Sequence, residues 1–497
     1  MTKGVVVIMK NKIEQLLNIH GPMLSGELAR HYESVYKVSN EAARQALSRV
    51  GHPVFKITKL SFEKNQKFFY LEKQFMSERF ISALLNAIEK HSKINSIYIS
   101  AFLSQNGYVS KELLPAFVSA PVGKVKKHKM HDRIITDLIQ SQIISEFDET
   151  RWMLNPAFNR SGTLNVSRST GLEVAKKQIV SDFAAWAGKM NLSAYSSVHI
   201  LSKEAQVGNF QWAFTAPSYI HPLFDIKKSR PGFVVADVFY GKMAKKQDIQ
   251  FFIDKVNVIR SFRNLPTFLP ILIVDRIEQD ALSYLKENKI IVAIINNIFD
   301  TKYSELLGDI VNLFTNASAI ISSNPGKLEE LFVEIGKSEG RFNNLAGDMF
   351  ELLVGHYYHE LGCNFLEIKK VIPIPDERKS REIDILVRKD GCMYIAECKA
   401  TRSMIDEKFV DEWLGTKIPQ IRKWLFEKHN ETQKHIFQLW SIGGFTDGAE
   451  TLLQRRQGDV TKYEIEFYNK GQMREIALRN NTRTFLALLD QHFKKSC

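Results

Sequence analysis

The chain has 497 residues, 44% of them hydrophobic and 25% charged, with a net charge of +13 and a pI near 9.3. That length is too great for one core and leads us to expect three or four domains of an ordinary soluble kind. The apolar start from Val5 to Met9 is too short for a signal peptide, and no run approaches a membrane span. The positive excess favours a polyanionic partner. The four cysteines (Cys363, Cys392, Cys398 and Cys497) form no C-x-x-C pair, which reads as a reduced, cytoplasmic protein.

Residues 1–75 open with a helix from Asn11 to His20, stopped by Gly21-Pro22. Ser25 caps a second helix, Gly26 to Tyr36, and Ser39 a third, Asn40 to Val50. In the third, Ala42, Ala43, Ala46 and Leu47 should pack while Arg44, Gln45, Ser48 and Arg49 stay outside. Phe55 to Leu60 and Lys67 to Leu71 read as a hairpin around Glu63-Lys64-Asn65. Three short helices and a basic hairpin resemble a winged helix-turn-helix. The resemblance implies that the third helix enters a major groove with Arg44, Gln45 and Arg49 facing DNA. A protein-docking module of the same shape stays open.

Residues 76–160 look like a second copy. A long amphipathic helix runs from Glu78 to His91, and Gly107-Tyr-Val-Ser-Lys-Glu-Leu-Leu echoes Gly21-Pro-Met-Leu-Ser-Gly-Glu-Leu. Arg133 to Ser141 is the expected third helix and Ile143 to Asn155 the wing. Before that helix Lys124, Lys126, Lys127, His128 and Lys129 form a basic loop suited to phosphate contact, or simply solvated. Residues 161–325 alternate as an α/β unit: helix Val174 to Met190, strands at Phe224–Ile226 and Phe233–Phe239, helix Gln247 to Phe262, strand Leu269 to Val274, helix Gln279 to Asn288 and strand Ile290 to Ile295.

Residues 326–497 begin with a helix whose buried face carries Leu345, Met349, Leu352 and Leu353, with Gly362 at its end. Strand Phe365 to Ile372 leads through Pro373 and Pro375 to the stretch on which the chain turns. There Ile383, Ile385 and Val387 alternate with Asp384, Leu386 and Arg388, Lys389-Asp390-Gly391 makes a tight turn, and Met393 to Lys399 returns as a second strand. Asp384, Glu397 and Lys399 are three charges on adjacent strands amid aliphatic residues, and such burial is costly unless something pairs with them. A divalent metal is the simplest partner.

Glu-Ile-Asp-Ile followed by Ile-Ala-Glu-Cys-Lys resembles the PD-(D/E)XK nuclease superfamily, with its restriction-endonuclease-like fold. The resemblance implies that Asp384, Glu397 and the backbone carbonyl of Cys398 hold Mg²⁺, for which Mn²⁺ can substitute, and that Lys399 positions or activates the attacking water. An acid from the first helix, Glu351, is the candidate for completing the metal site. Pro375-Asp376 formally spells the family's first motif, but Asp384 is better placed, inside a strand. In the following helix, Lys408 to Glu427, the residues Lys417, Gln420, Arg422 and Lys423 are available to orient water or grip phosphate. Seen beside this hairpin, Asp225 and Asp237 lie twelve residues apart against thirteen for Asp384 and Glu397, and Phe239 stands where the lysine should be. The middle region therefore resembles an inactive copy.

The expected fold class is multidomain, a mainly α winged-helix N-terminal region followed by two α/β restriction-endonuclease-like domains, the first degenerate. The domains expected are 1–75, 76–160, 161–325 and 326–497. The expected function is a cytoplasmic Mg²⁺-dependent DNA endonuclease acting on duplex DNA, in bacterial restriction or anti-phage defence, with no membrane partner. A second copy of the chain or partner proteins of such a system are further expected partners. Two other readings stay open: a DNA-binding regulator with a non-catalytic nuclease fold, and a junction- or transposon-end-cutting nuclease in a recombination complex. His356-x-x-His359-x-x-x-Cys363 has ligand-like spacing but lacks a fourth ligand, and no phosphate-cradling G-x-x-x-x-G-K-[ST] occurs.

Overall fold

A computed structural model describes residues 12–493 apart from 161, 163, 195–196, 227, 337–338, 375–379 and 429–433, with the side chains of 339–344 also left aside. The expected Pro375-Asp376 motif and Lys227 lie outside the described residues. The chain forms two compact units: residues 1–145, 150–166 and 187–294 make the first, and residues 146–149, 167–186 and 295–497 the second. That division differs from the four segments expected.

The first unit begins with helix α1 (12–20), strand β1 (Met23–Leu24), helices α2 (Ser25–Tyr36) and α3 (Asn40–Ser48), and strands β2 (Val54–Ile57) and β3 (Phe68–Leu71). The three strands pair in the order β1-β3-β2. Ser39 caps α3, its hydroxyl accepting the Ala42 N–H at 3.3 Å. Ser25 does not cap α2: it is that helix's first residue, and its hydroxyl accepts the Lys67 N–H at 3.2 Å, tying helix to strand. Only Ala43, Ala46 and Leu47 are buried on α3, so Ala42 lies outside with Arg44, Gln45, Ser48 and Arg49.

The same plan follows once more. Helices α4 (Glu78–His91) and α5 (Lys93–Ser104) precede β4 (Tyr108–Ser110), then α6 (His131–Gln140), β5 (Ile144–Glu146) and β6 (Arg151–Leu154), paired β4-β6-β5. Gly21 and Gly107 have φ of +89° and +93°, and each turns the chain from a helix into the first strand of its sheet. That left-handed backbone is what glycine permits at little cost, and it explains the echo between the two segments.

After α7 (Val166–Lys189), most of which belongs to the second unit, come β7 (His199–Ile200), a small hairpin of β8 (Gln206–Val207) and β9 (Phe210–Gln211), β10 (Phe214–Ser218), β11 (Gly232–Ala244), α8 (Gln250–Arg260), β12 (Phe268–Ile277), α9 (Gln279–Glu287) and β13 (Ile291–Ile294). They build a five-stranded sheet ordered β13-β12-β11-β10-β7. One continuous apolar core runs from Leu24 and Phe68 through Phe80, Phe102 and Leu138 to Trp212, Val235 and Leu272. The expected seams at 75/76 and 160/161 are therefore filled with shared side chains.

The second unit carries α10 (Ile295–Ile298), α11 (Thr301–Thr315), α12 (Ala317–Ser323), α13 (Gly326–Gly336) and α14 (Glu339–Glu360). Strands β14 (Phe365–Pro373), β15 (Ser380–Lys389) and β16 (Cys392–Lys399) follow. Then come α15 (Glu407–Glu412), a π-helical turn over Trp413–Lys417, α16 (Ile418–Lys428), β17 (Lys434–Ser441), α17 (Asp447–Asp459), β18 (Glu464–Asn469), α18 (Lys470–Arg479) and α19 (Arg483–His492). Its sheet is ordered β14-β15-β16-β17-β18, with apolar layers on both faces.

The two five-stranded sheets share a topology. From β7 to β13 the successive pairings run antiparallel, antiparallel, parallel, parallel, and from β14 to β18 they run the same way. The strand alignment expected for the first sheet is wrong at one end. The partner of β11 is Phe214–Ser218, and Asp225 lies in a loop where it bridges Arg230. Phe214 faces Ala236, so the residue facing Asp237 is Ala213, whose N–H donates to the Asp237 carboxylate at 2.8 Å.

Asp237 meets no second acid here. Its other oxygen accepts from Lys255 Nζ at 2.6 Å, and both side chains are completely shielded from solvent. Lys255 also donates to the Ala116 carbonyl at 2.9 Å and lies over the Trp212 ring. Burial pushes Asp237 up to about 6 and Lys255 down, with the pairing offsetting part of each shift. Breaking one side of such a pair strands the other charge in the core. Asp237→Ala should lower the unfolding free energy of the first unit by about 3–5 kcal/mol, while Asp237→Leu with Lys255→Met should recover most of it. A loss below about 1 kcal/mol in denaturant unfolding of Asp237→Ala would contradict this account.

Candidate active site

The hairpin that brings the acids together is built as its residues demand. Asp390 and Gly391 both have positive φ, +50° and +75°, in the two-residue turn between Lys389 and Cys392. This sets the register: Ile385 faces Ala396, so Asp384 and Glu397 are the next facing pair. Met393 and Ile395 pack in the layer covered by α15 and α16, and Ala396 and Cys398 in the opposite one. Glu397 and Lys399 continue the alternation of Met393 and Ile395 and so point to the first of these layers.

Asp384 and Glu397 are both buried, at 9% and 8% exposed. One oxygen of Asp384 accepts the Cys398 N–H at 2.7 Å. Burial, reinforced by the negative charge of Glu397, pushes Asp384 up to about 7. Glu397 is treated differently. Its Oε1 accepts from Lys399 Nζ at 2.8 Å and from Lys417 Nζ at 2.9 Å. Burial alone would raise it, but the two ammonium groups outweigh burial and hold it below the usual carboxylate range. Lys399, despite burial, is raised by Glu397 and Asp384 and stays protonated. Both ammonium groups lie over the Phe409 ring, at 5.4 and 5.5 Å.

Glu351, on α14, is engaged by Lys369 Nζ at 2.6 Å, and the same ammonium meets Asp348 at 3.0 Å. Burial raises Glu351 well above its ordinary value, with Lys369 opposing and Asp384 adding to the rise. Lys369 is itself unusual. It stands opposite Asp384, between the pairs Ile368–Ile385 and Lys370–Ile383, with φ of +54° inside a strand. A non-glycine residue in that conformation stores strain of about 1–3 kcal/mol, and such strain is commonest at functional sites.

The sequence reading brought Asp384, Glu397 and Lys399 to one place, with Cys398 between the last two. Gln420 and Arg422 point to other partners: Gln420 accepts from Arg381 Nε at 2.8 Å, and the Arg422 guanidinium lies over Tyr463 and Phe426. The helical residue that reaches Glu397 is Lys417, set in the π-helical turn. Such a turn shifts which side chains face inward, and helical periodicity alone does not reveal it. Lys369 was missed because nothing in a β pattern marks a left-handed residue. Arg44, Gln45, Arg49, Lys126 and Lys127 are exposed, in the first unit. Among the described residues no three His, Cys, Asp or Glu side chains converge as a metal-holding group, and His356 is buried beside Glu360 and His359. No described helix is long and apolar enough to cross a membrane.

No protein-family model and no curated protein matches the chain. Two solved structures are similar at low level. The crystal structure of a protein of unknown function, AF1548, shares 14% identity at a TM-score of 0.18 over 24% of this chain, which spans about half (54%) of that protein's length. The structure of the restriction endonuclease FokI shares 12% identity at a TM-score of 0.18, covering 90% of this chain and 83% of that one. Scores this low carry no argument about fold or function.

Asp384 makes the site pH-sensitive in a definite direction. Its folded-state value lies above its ordinary 3.8, at about 7, so between these values the folded protein binds more protons than the unfolded one. Stability from this group is full below pH 3.8 and is lost as pH rises through about 7. With a chelator present, Asp384→Asn should match wild type near pH 4 and be more stable at pH 8. Thermal unfolding across that range checks it, and a wild type that gains on the variant with rising pH would refute it.

Proposed function

We propose that this chain is a Mg²⁺-dependent endonuclease that hydrolyses phosphodiester bonds of duplex DNA. The observation that supports this best is the meeting of Asp384 and Glu397 at one register position, with Lys399 on Glu397. The donor set fits the ion: two carboxylate oxygens from facing strands are hard ligands, and Mg²⁺ binds through one or two carboxylates while keeping several waters. Asp384, raised to about 7 beside another acid, is a carboxylate short of a cation. Asp384 and Glu397 would hold the ion, with the Cys398 carbonyl as third donor. Glu351 would join them only by giving up its contact with Lys369. When bound, the ion supplies an activated water and offsets charge developing on the scissile phosphate.

The chain's own groups do the remaining work. Lys399 is 30% exposed at its side chain and Lys417 20%, so both ammonium groups can meet a phosphate oxygen or a water while tethered to Glu397. Kept protonated, Lys399 acts by orienting that water and by stabilising negative charge, the electrostatic contribution that preorganised donors make. The first sheet supports the reading by contrast. By register Ala213 stands for Asp384, Asp237 for Glu397 and Phe239 for Lys399, and the remaining acid is sealed against Lys255. We read it as a degenerate copy of the same fold. The helix–strand–helix–helix–strand–strand order at the N-terminus supports a winged helix that contacts DNA, and we place the enzyme in the cytoplasm, in restriction or defence.

The test is incubation of the purified chain with supercoiled plasmid, linear duplex, single-stranded DNA and RNA, with and without Mg²⁺. Lys399→Ala and Asp384→Asn should each lower duplex cleavage by at least about 100-fold, while duplex affinity measured in chelator stays within about twofold. Full cleavage by Lys399→Ala would refute the catalytic assignment. Wild-type protein that binds duplex but cuts nothing would instead favour the regulator reading.

A further inference from the structure

Two cavities lie side by side on the first unit. One, of about 800 Å³, is bounded by the start of α2, by α3 and by the β2–β3 hairpin, with Arg30, Arg44, Lys56, Lys64 and Lys67 in its wall. The other, of about 370 Å³, lies between the same hairpin and α6, with Lys59, Lys67, Lys129 and Arg133 in its wall. Asn65, Gln66 and Lys67 line both, so the hairpin tip forms part of the wall of each. Against these cations stand only Glu27 in the first cavity and Asp137 in the second. Asp137 pairs with Lys129 and, at 3.6 Å, with Arg133. Arg30, Arg44, Lys56, Lys59 and Lys64 are exposed and have no carboxylate partner among the described residues.

We propose that these cavities form one track for the phosphate backbone of a single DNA duplex, which therefore engages both N-terminal modules at once. This deepens the function proposed above and rests on it for the identity of the nucleic acid. An uncompensated row of Lys and Arg on neighbouring elements attracts a polyanion, and contact with phosphates releases counterions. The hairpin backbone beneath the row is tied to the start of α2. Gln66 Oε1 accepts from the Gly26 N–H at 3.1 Å, the Lys67 carbonyl accepts from Ser25 N–H at 2.8 Å, and Lys67 Nζ donates to the Thr58 carbonyl at 3.2 Å. A track whose hairpin is tied in this way pays less ordering cost when a backbone is laid into it.

The wall also distinguishes duplex from single strand. Single strands are held by bases stacking on exposed aromatic faces, yet the phenylalanines of the two walls, Phe62 and Phe69, are buried at 6% and 3%, and the remaining ring, His91, is half-buried beside Glu63. What the track presents is cations and amides, which suit phosphates. It differs from the contacts expected of α3 alone. Arg44 lines it but Gln45 and Arg49 do not, and the loop residues Lys126 and Lys127 lie outside it.

The test uses the full chain carrying Lys399→Ala, in chelator, with a short labelled duplex titrated at several KCl concentrations. Two double variants, Arg44→Ala with Lys64→Ala and Lys59→Ala with Arg133→Ala, remove one stretch of the track each. Lys126→Ala with Lys127→Ala removes the same charge elsewhere. Each track variant should take about 1.8 off the slope of log affinity against log salt, at about 0.9 per phosphate contact, and the loop variant should leave the slope unchanged. Loss of slope only in the Arg44/Lys64 variant would end the track at the first module and overturn the proposal. Equal losses in all three would reduce it to net charge, and competition by single-stranded DNA or RNA as strong as by duplex would overturn the partner. Failure of the nuclease reading shows separately, as absence of metal-dependent cleavage by wild type with these slopes intact.

Discussion

Two facing acids, Asp384 and Glu397, and the two lysines that reach Glu397 set the terms for the rest of the second unit. A carboxylate taken out of water costs several kcal/mol unless it is paired and hydrogen-bonded. Glu397 receives two ammonium groups and is well compensated, whereas Asp384, directly opposite, receives one backbone N–H and a like-charged neighbour. The asymmetry is the informative part. Glu397 is balanced by hydrogen-bonded ammonium groups, whereas among the described residues Asp384 has no ammonium hydrogen-bonded to it. Around it the fold spends further stability. Lys369 adopts a left-handed backbone within β14 so that its ammonium can serve Glu351 and Asp348. The turn at Trp413–Lys417 departs from α-helical geometry where Lys417 reaches Glu397.

The first unit contains a natural control for that reasoning. Two sheets of the same strand order and the same sequence of parallel and antiparallel pairings carry opposite solutions to one problem. In the β7–β13 sheet a single acid remains, and a single lysine from the following helix closes over it without access to solvent. In the β14–β18 sheet the equivalent acid keeps a lysine from the following helix and gains a second from its own strand and a facing acid. Lys255 follows Asp237 by 18 residues and Lys417 follows Glu397 by 20. The helix-borne lysine is thus common to both sheets, and what separates the sealed pair from the partly exposed cluster is the facing Asp and the strand lysine.

Much of this was legible in the residues because local chemistry and fold agree there. The 384–399 hairpin combines alternation, a tight turn and charges two apart on one strand, which together place Asp384 and Glu397 on adjacent strands, and the two-residue turn between Lys389 and Cys392 makes them face each other. The echo between Gly21 and Gly107 was legible for a similar reason, since a left-handed turn between helix and strand admits few residues. Asp225 misled because spacing in sequence was used for register, and the loop from Tyr219 to Pro231 takes up residues that the hairpin of the other sheet does not have. Of the four helical residues expected to be available, Lys417 is the one seen on Glu397, and it lies in the π-helical turn. Domain seams are hard to read for a different reason: apolar residues report that they are buried but not against which segment, and here Leu24, Ile57, Leu60, Phe62 and Phe68 join the core of the following segments while Ile13, Leu16, Leu28 and Leu47 belong to a core within residues 1–75.

That shared core bears on how the N-terminal modules work. A winged helix on a flexible tether reads DNA as an independent body, but α4, α5 and the β11–β12 layer pack into the same interior as β3 and α6. Lys255, which balances Asp237, also binds the Ala116 carbonyl of the second module, so the sealed pair of the inert sheet serves as the joint that fixes that module in place. An ion pair sealed from solvent is well suited to this task, because its strength depends on the exclusion of water. By register, Ala213 and Phe239 stand in the first sheet where Asp384 and Lys399 stand in the second. On this reading rigidity in the first unit and openness in the second are two outcomes of one sheet design, decided by which charges are left without a partner.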